Sequence, residues 1–349
     1  MAMAGDMPDF KELIAIVADG TPLNVDQARA AFDVMMSGDA TPSQMGAFLM
    51  ALRVRGESVA EITGGVMTMR ERMTKIIAPP GAMDIVGTGG DGKHTLNIST
   101  ATAIVVAGCG VPIAKHGNRA ASSKTGTTDV QNTLGINVDA DFSLLQAALD
   151  EAGLCFMAAP RHHGAMRNVG PTRVEMGTRT IFNILGPMSN PAGVKLQLIG
   201  VFAREWMRPM AETLRTLGSE KVWVVHGADG TDEITTTGPT YVVALEDGEI
   251  TEFEVTPEQA GLPLATLEDL RGGEAEENAA ALNALLQGAK GAYRDVVLFN
   301  AAAALMIAGK AADLPAGVAI AADAIDDGLA LEKLHRIVEI SNRTVAASE

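Results

Sequence analysis

Four glycines stand within Val86-Gly87-Thr88-Gly89-Gly90-Asp91-Gly92, directly after the short apolar run Met83-Asp84-Ile85-Val86. A strand that empties into glycines leaves backbone N–H groups free to turn toward an anion, with no Cβ in the way. The arrangement returns: Val111–Ala114 leads to Lys115-His116-Gly117, and Val222–His226 leads to Gly227-Ala228-Asp229-Gly230. Short strands of this kind, separated by glycine bends and Ala-rich helical stretches, fit a largely parallel sheet with helices on both faces. Asp295–Phe299 and Val318–Ala321 read as further strands of that sheet. Tyr241–Leu245 and Glu249–Val255 flank a Glu246-Asp247-Gly248 turn and predict a local hairpin, so a mixed sheet is expected.

Ahead of Pro79-Pro80 the pattern is helical. Asn24-Val25-Asp26-Gln27, Thr41-Pro42-Ser43-Gln44 and Ser58-Val59-Ala60-Glu61 each have the form of a capping box, the second with proline at the favoured first helical position. Behind them, Ala28, Ala31, Phe32 and Met35, then Met45, Phe48, Leu49 and Leu52, then Ile62, Val66 and Met69 recur at helical spacing. The chain has 349 residues, and single cores seldom grow past about 250–300. The fold class predicted is therefore α/β in two parts: a small helical domain over 1–74, and a larger α/β domain over 80–345 with a central, mostly parallel sheet flanked by helices. Helices from about 165–190, among them one over Thr178 to Leu185 ended by Gly186-Pro187, are expected to pack back against the first domain.

The formal charge is −16, which argues against general nucleic-acid binding, where attraction needs a lysine and arginine surface. Two stretches run against that balance. Lys115 to Lys124 holds three cations and no acid, and Arg161 to Arg179 holds four arginines opposed only by Glu175. Such concentrations in an acidic chain fit capture of a small anion. Cys109 and Cys155 have neither metal-ligand nor redox spacing and read as buried thiols of a reducing, cytoplasmic compartment. The first ten residues lack the basic-then-apolar form of a secretory signal. No apolar run reaches membrane-spanning length, Ala301–Ile307 being too short.

The glycine run is not a dinucleotide fingerprint, because Asp91 follows Gly90 and the helix starts later. Nor is it a P-loop, since Lys93 is followed by His94. The helix opening at Asn97-Ile98-Ser99-Thr100 brings unpaired N–H groups and a positive end that suit phosphate. Asp91 would repel a bare phosphate, so it suits a hydroxyl, an amine or an ion-bridged ligand. Lys115-His116-Gly117-Asn118-Arg119 stands at the carboxyl end of a strand, the usual ligand edge of an open α/β sheet. Ser122, Ser123, Lys124 and Gly126-Thr127-Thr128-Asp129 extend it with polar groups. In His226-Gly227-Ala228-Asp229-Gly230-Thr231-Asp232-Glu233, adjacent carboxylates suit a hard cation such as Mg²⁺ shared with substrate phosphates, an acidic surface turn being the alternative for that stretch alone. Arg161-His162-His163 is not a zinc pattern; an arginine of that region would fork onto a carboxylate.

Taken together, GTGGDG at 87–92, NIST at 97–100, KHGNR at 115–119, RTIFNILGP at 179–187 and the HG-x-DG-x-DE turn at 226–233 resemble the anthranilate phosphoribosyltransferase family, of the nucleoside phosphorylase/phosphoribosyltransferase fold. Their order and separation match along almost the whole chain. The resemblance implies transfer of phosphoribose from 5-phosphoribosyl 1-diphosphate to the amine of anthranilate in tryptophan synthesis. It also implies Mg²⁺ as cofactor and a homodimer formed through the helical domain, with no nucleic acid or membrane as partner. Carried across, Gly87, Gly89, Gly90, Asp91, Thr95, Asn97, Ser99, Thr100, Lys115, Ser123 and Thr127 would hold the donor. Gly87, Asn118, His163, Arg173 and Pro187 would meet anthranilate, Arg173 near its carboxylate and Pro187 near its ring. Ser99, Asp232 and Glu233 would meet magnesium, directly or through water. Lys115, Asn118 and Arg173 would have electrostatic and alignment roles. One departure stands out: where the family usually has Ser-Ala-Asp, this chain has Thr127-Thr128-Asp129. Thr127 keeps a hydroxyl, and Thr128 adds bulk.

The chemistry so implied is substitution at C1 of the ribose through an oxocarbenium-like state with inversion. Diphosphate neutralised by magnesium leaves readily, and an aromatic amine is mostly unprotonated at neutral pH, so charge clamps and alignment matter more than a covalent nucleophile. Two other readings share the fold. A pyrimidine nucleoside phosphorylase would use phosphate in place of diphosphate, in chains that usually carry an extra C-terminal region. A non-catalytic nucleic-acid-binding relative would show a basic groove and lost carboxylates, against which the −16 charge and Asp232-Glu233 speak.

Overall fold

A capping box at Asp9 starts α1 (Phe10–Ala18), and the three boxes read from the sequence start α2 (Val25–Ser37), α3 (Pro42–Arg55) and α4 (Val59–Arg72). In each, the cap side chain accepts the N–H three residues on and the third residue returns the bond, satisfying donors that the first helical turn leaves bare. The computed structural model describes residues 7–117 and 127–344. After α4 it alternates: β1 (Met83–Gly87), α5 (Ile98–Gly108), β2 (Ile113–Gly117), α6 (Thr127–Thr133), α7 (Phe142–Ala152), β3 (Leu154–Ala158), α8 (Ala159–His162), α9 (Gly170–Met176), α10 (Phe182–Leu185), β4 (Leu196–Gly200), α11 (Met207–Thr216) and β5 (Lys221–Gly227). The hairpin β6 (Thr240–Glu246) and β7 (Glu249–Val255) follows, then α12 (Ala275–Leu286), α13 (Ala292–Ile307), α14 (Leu314–Asp326) and α15 (Leu329–Ser341).

The strands form one mixed sheet in the order β3-β2-β1-β4-β5-β6-β7. The first five are parallel and the hairpin is antiparallel. β1 lies between β2 and β4, so the chain winds one way through β3 and then the other way from β4. The crevice beyond the carboxyl ends of β1 and β4 is therefore the switch point where an open α/β sheet accepts ligands.

Alternate strand residues enter two different cores, as the two-residue period requires. Ile85, Leu198, Trp223, Val225, Val242 and Ala244 face a core built with α5, α7 and α12 to α15. Val86, Ile199, Val222, Val224, Val243 and Leu245 face a core shared with α1 to α4, α10 and α11. Val169, Ile181, Phe182, Ile184, Leu185 and Met188 belong to this second core, which packs the middle of the chain against the N-terminal helices. Among the described residues, no helix is long and apolar enough to cross a membrane.

Several local expectations are corrected. Asp295–Phe299 and Val318–Ala321 are helical, lying within α13 and α14. A helix that is apolar all round has no period to distinguish it from a buried strand, and α13 is buried from Val296 to Leu305. Gly317 of α14 lies against it so closely that a Cβ there would stand 2.7 Å from Ala302 Cα. The strands Leu154–Ala158 and Leu196–Gly200 take the places left open in the sheet. β2 begins at Ile113 and runs to Gly117, so Lys115 and His116 sit inside the strand and not beyond it. Helix α10 covers only Phe182–Leu185; before it, Asn183 accepts the Thr180 N–H at 2.9 Å. Cys155 is buried, whereas Cys109 is partly exposed.

Candidate active site

The ends of β1 and β2 and the turn after β5 meet around a cleft of 570 Å³, within the range of about 300–1,000 Å³ usual for small-molecule sites. The glycine run forms one wall. Gly89, Gly90 and Gly92 have φ of 66°, 76° and 72°, where an L side chain is strained. Gly87 is required for another reason: a Cβ there would stand 2.5 Å from Asp232 Oδ2. At Gly200, opposite it on β4, a Cβ would fall onto the Asp232 carbonyl oxygen. Two strand ends without side chains thus let the turn after β5 fold over the switch point. Gly89 N–H then donates to Asp232 Oδ2 at 2.6 Å.

That turn is organised by Asp229. Its Oδ1 accepts from the Thr231 N–H (3.0 Å) and hydroxyl (2.7 Å), and its Oδ2 from the hydroxyls of Thr235 (2.7 Å) and Thr237 (2.6 Å). These bonds hold its pKa below the usual carboxylate value against the opposing effect of burial. From the far side, Asn300 of α13 accepts the Ile234 N–H (3.1 Å) and donates to the Ile234 carbonyl (2.7 Å). Asp232 and Glu233 are thereby fixed in the cleft wall. Burial first, then the nearby Asp91, push Asp232 up to about 7. Burial and Asp232 push Glu233 well above the carboxylate range, with Lys115 opposing.

Lys115 stands 4% exposed in β2, its Nζ donating to Ile85 O (2.5 Å) and Ser99 Oγ (3.2 Å). Burial lowers its pKa, while Asp84, Glu233 and Asp232 raise it. Asp84, fully buried in β1, accepts from the His116 N–H (3.1 Å) and from Asn190 Nδ2 (2.7 Å). Burial raises Asp84 to about 6 in spite of Lys115. One cation therefore sits among three carboxylates in a place largely closed to water, at the start of α5 whose N-terminus faces the cleft.

On the opposite wall stand Arg173, Phe182, Asn183, Gly186 and Pro187. The Arg173 guanidinium lies 5.3 Å from the Phe182 ring centroid, and burial lowers its pKa. Gly87, Gly89, Gly90, Asp91, Thr95, Asn97, Ser99, Lys115, Thr127, Arg173, Pro187, Asp232 and Glu233 all line this one cleft. Two expected residues stand behind it. Thr100 is fully buried in α5, its hydroxyl without a partner among the described residues. His163 is buried with its Nε2 3.2 Å from that of His116, and His116 is the ring that reaches the cleft. Burial holds both imidazoles below their ordinary pKa, His163 at about 4, so the pair is neutral at pH 7. Asn118 and Ser123 lie outside the described residues.

Sequence reasoning missed the wall from Arg271 to Asn278. Gly272 N–H donates to His94 O (2.8 Å), and Leu96 N–H to Leu270 O (2.9 Å), which ties this segment to the tail of the glycine loop. The pair Gly272-Gly273 was the signal: a Cβ on Gly272 would stand 2.8 Å from Thr95 O. Asp84, an acid within an otherwise apolar strand, was a second.

The chain matches the glycosyl transferase family at both levels, its helical bundle domain over residues 11–73 and its a/b domain over 79–331. It is 61% identical over 335 residues to an anthranilate phosphoribosyltransferase of Rhodopseudomonas palustris (strain HaA2), covering 96% of this chain and 99% of that one. A relative of the same description from Rhodospirillum rubrum is 59% identical, with 95% and 96% covered. Among solved structures, the anthranilate phosphoribosyltransferase of Thermus thermophilus superposes with a TM-score of 0.90 at 41% identity, covering 95% of this chain and 99% of that one. That of Saccharomyces cerevisiae in complex with PRPP and Mg gives 0.87 at 27% identity, with 97% and 99% covered. With a switch-point cleft, glycine-walled strand ends and such likeness along nearly its full length, this chain belongs to the anthranilate phosphoribosyltransferase family.

Proposed function

We propose that 5-phosphoribosyl 1-diphosphate lies over the glycine run and the N-terminus of α5, with anthranilate beside it toward Arg173 and Pro187. The chain is an enzyme that transfers phosphoribose from this donor to the amine of anthranilate, giving N-(5-phosphoribosyl)anthranilate and diphosphate in tryptophan biosynthesis. The observation that carries the site assignment is the convergence of Gly87, Lys115 and Asp232-Glu233 on one cleft. Incubation with both substrates and MgCl₂ should extinguish anthranilate fluorescence. Phosphorolysis of thymidine without any such loss would favour the phosphorylase reading instead.

In the step itself the amine nitrogen bonds to C1, the C1–O bond breaks with its electron pair on diphosphate, and the nitrogen then sheds a proton. Lys115 and the N–H groups at the start of α5 offset charge on the departing diphosphate. The arginine fork of Arg173 orients the acceptor carboxylate so that its amine meets C1. His116, neutral and backed by the neutral His163, offers a polar but uncharged patch of wall.

Magnesium fits this site as a shared ion. Among the described residues, no cluster of three or more His, Cys, Asp or Glu side chains forms a cage for a metal. Magnesium needs none, because it is commonly held by one or two carboxylates together with substrate phosphates. Asp232, buried, and Glu233, half-buried beside it, resist ionising together, as their raised pKa values show, and a divalent cation would relieve that cost. We assign them and Ser99 as its protein ligands, directly or through water. When bound, the ion would neutralise the diphosphate and ease its departure.

We assign the N-terminal helices, together with the 165–190 region, to a helical domain, 80–345 to the α/β domain, and the chain to a cytoplasmic homodimer. Met50 and Val54 on α3 and Val174 on α9 are exposed large apolar side chains on neighbouring helices, which supports pairing through this face. Val54→Lys should shift the chain toward monomer in sedimentation or light scattering; an unchanged mass would remove that face from the interface. For the acceptor site, Arg173→Ala should raise the anthranilate KM by roughly 10- to 100-fold, since a charged fork is lost, with the donor KM nearly unchanged. Equal loss of donor affinity in steady-state kinetics would sink that role.

A further inference from the structure

Arg179 does not line the cleft, yet it holds the cleft's glycine wall. Its Nη2 donates to the Gly90 carbonyl, and its guanidinium lies 4.0 Å over the Phe202 ring. Phe202 is itself tied to the same wall, its N–H donating to Thr88 Oγ1 at 3.0 Å, while Thr88 N–H donates to Gly200 O at 2.9 Å. Behind Arg179, Arg53 of α3 donates from Nη1 to the Thr178 hydroxyl and to the Arg179 carbonyl. A strap of two arginines thus runs from the N-terminal helices to a loop whose glycines at 89, 90 and 92 give it little stiffness of its own.

The direction of the last bond matters. The Gly90–Asp91 peptide is trans, so its carbonyl and its N–H point opposite ways. Drawing the carbonyl outward to Arg179 turns the Asp91 N–H inward. We propose that Arg179 is a positioning residue for phosphoribosyl transfer: it presents the Asp91 N–H to the donor, with Arg53 fixing Arg179 from the helical bundle. This rests on the assignment of the donor to the glycine wall. On the other side of the loop, the Gly89 N–H is already committed to Asp232. Two anchors, one acceptor and one donor, therefore set the orientation of the Thr88–Gly89 and Gly90–Asp91 peptides, on either side of one that is left free to follow them.

The test compares the full chain with Arg179→Met, Arg179→Lys and Arg53→Ala. Calorimetric titration with 5-phosphoribosyl 1-diphosphate in MgCl₂ reads donor binding, and steady-state kinetics read both KM values. Arg179→Met should weaken donor binding by about five- to tenfold, less than the full value of one charge-assisted hydrogen bond because the loop still visits the binding arrangement, and leave the anthranilate KM within about twofold. Arg179→Lys should recover part of the loss, because an ammonium can reach the carbonyl but cannot stack flat on Phe202. Arg53→Ala should move donor binding the same way by less. Unchanged donor binding in Arg179→Met overturns the proposal. So does an equal loss for both substrates together with a lowered melting temperature, which is what a merely structural arginine would give. Should Arg179→Met fail to fold, unchanged donor binding in both other variants overturns it as well. If the unaltered chain bound the donor but left anthranilate unconsumed, the acceptor reading would fail while the titrations still judged the strap.

Discussion

Replacing Asp232 by Asn and Glu233 by Gln together should stabilise the folded chain while removing most of its activity. Both carboxylates sit where burial and a like charge disfavour ionisation, Asp232 being pushed up to about 7 and Glu233 well above its ordinary value. Amides of the same shape remove that cost, and the amide oxygen of Asp232→Asn would still accept the Gly89 N–H now held at 2.6 Å. Exchanging buried charges for neutral groups of similar volume is often neutral or stabilising by about 1–4 kcal/mol, so the melting temperature should rise by several degrees. Activity should move the other way. With the two carboxylates that we assign to the cation made neutral, kcat/KM should fall by roughly 10²- to 10³-fold, and magnesium should be needed at higher concentration. Scanning calorimetry and a magnesium titration of the rate read the two effects separately. An unchanged magnesium dependence would reject the ligand assignment even if activity fell.

Lys115→Met should lose on both counts. Lys115 is the cation that Asp84, Asp232 and Glu233 share, and it is nearly inaccessible to water. Removing one partner of a buried charged group leaves the others uncompensated, typically at about 3–5 kcal/mol. The Ile85 carbonyl and the Ser99 hydroxyl would lose their donor too. Donor binding should weaken by roughly 100-fold or more, because the charged contact that we assign to diphosphate disappears. Adding Glu233→Gln to Lys115→Met should restore part of the stability and none of the activity. That non-additivity is the signature of direct coupling; strict additivity in denaturant titrations would mean that the two side chains do not interact.

The opposite stability effects of these two changes express one arrangement: a site with more buried negative charge than its own lysine balances. Such a site is costly to the free protein and suited to taking up a divalent cation along with its anionic substrate. Asp229 and Asn300 pin the acidic turn through hydrogen bonds and add no cation beside Asp232 and Glu233.

The helix starts at Asn24, Thr41 and Ser58 could be read directly, because a capping box is complete within four residues and needs nothing distant. The positive-φ bends at Gly89, Gly90 and Gly92 could be read for the same reason: the conformation belongs to the residue itself. That most of the expected positions would line one cleft then followed from their place after strands, since parallel strands bring their carboxyl ends to one edge. His163 was expected at the cleft and stands behind it, because adjacent histidines say nothing about which ring reaches the opening; β2 sets His116 there instead.

What the sequence alone determined, then, were short-range matters: caps, bends, the strand-to-glycine transitions and the charged residues at their ends. Tertiary structure decided that Val296 to Phe299 is the middle of a helix, since a stretch buried on every side shows no periodicity. It decided that Asp84 pairs with Asn190, 106 positions away, and that the 271–278 segment closes the cleft. These outcomes depend on which surfaces meet after collapse, and contacts between distant residues leave no regular spacing in the chain that makes them.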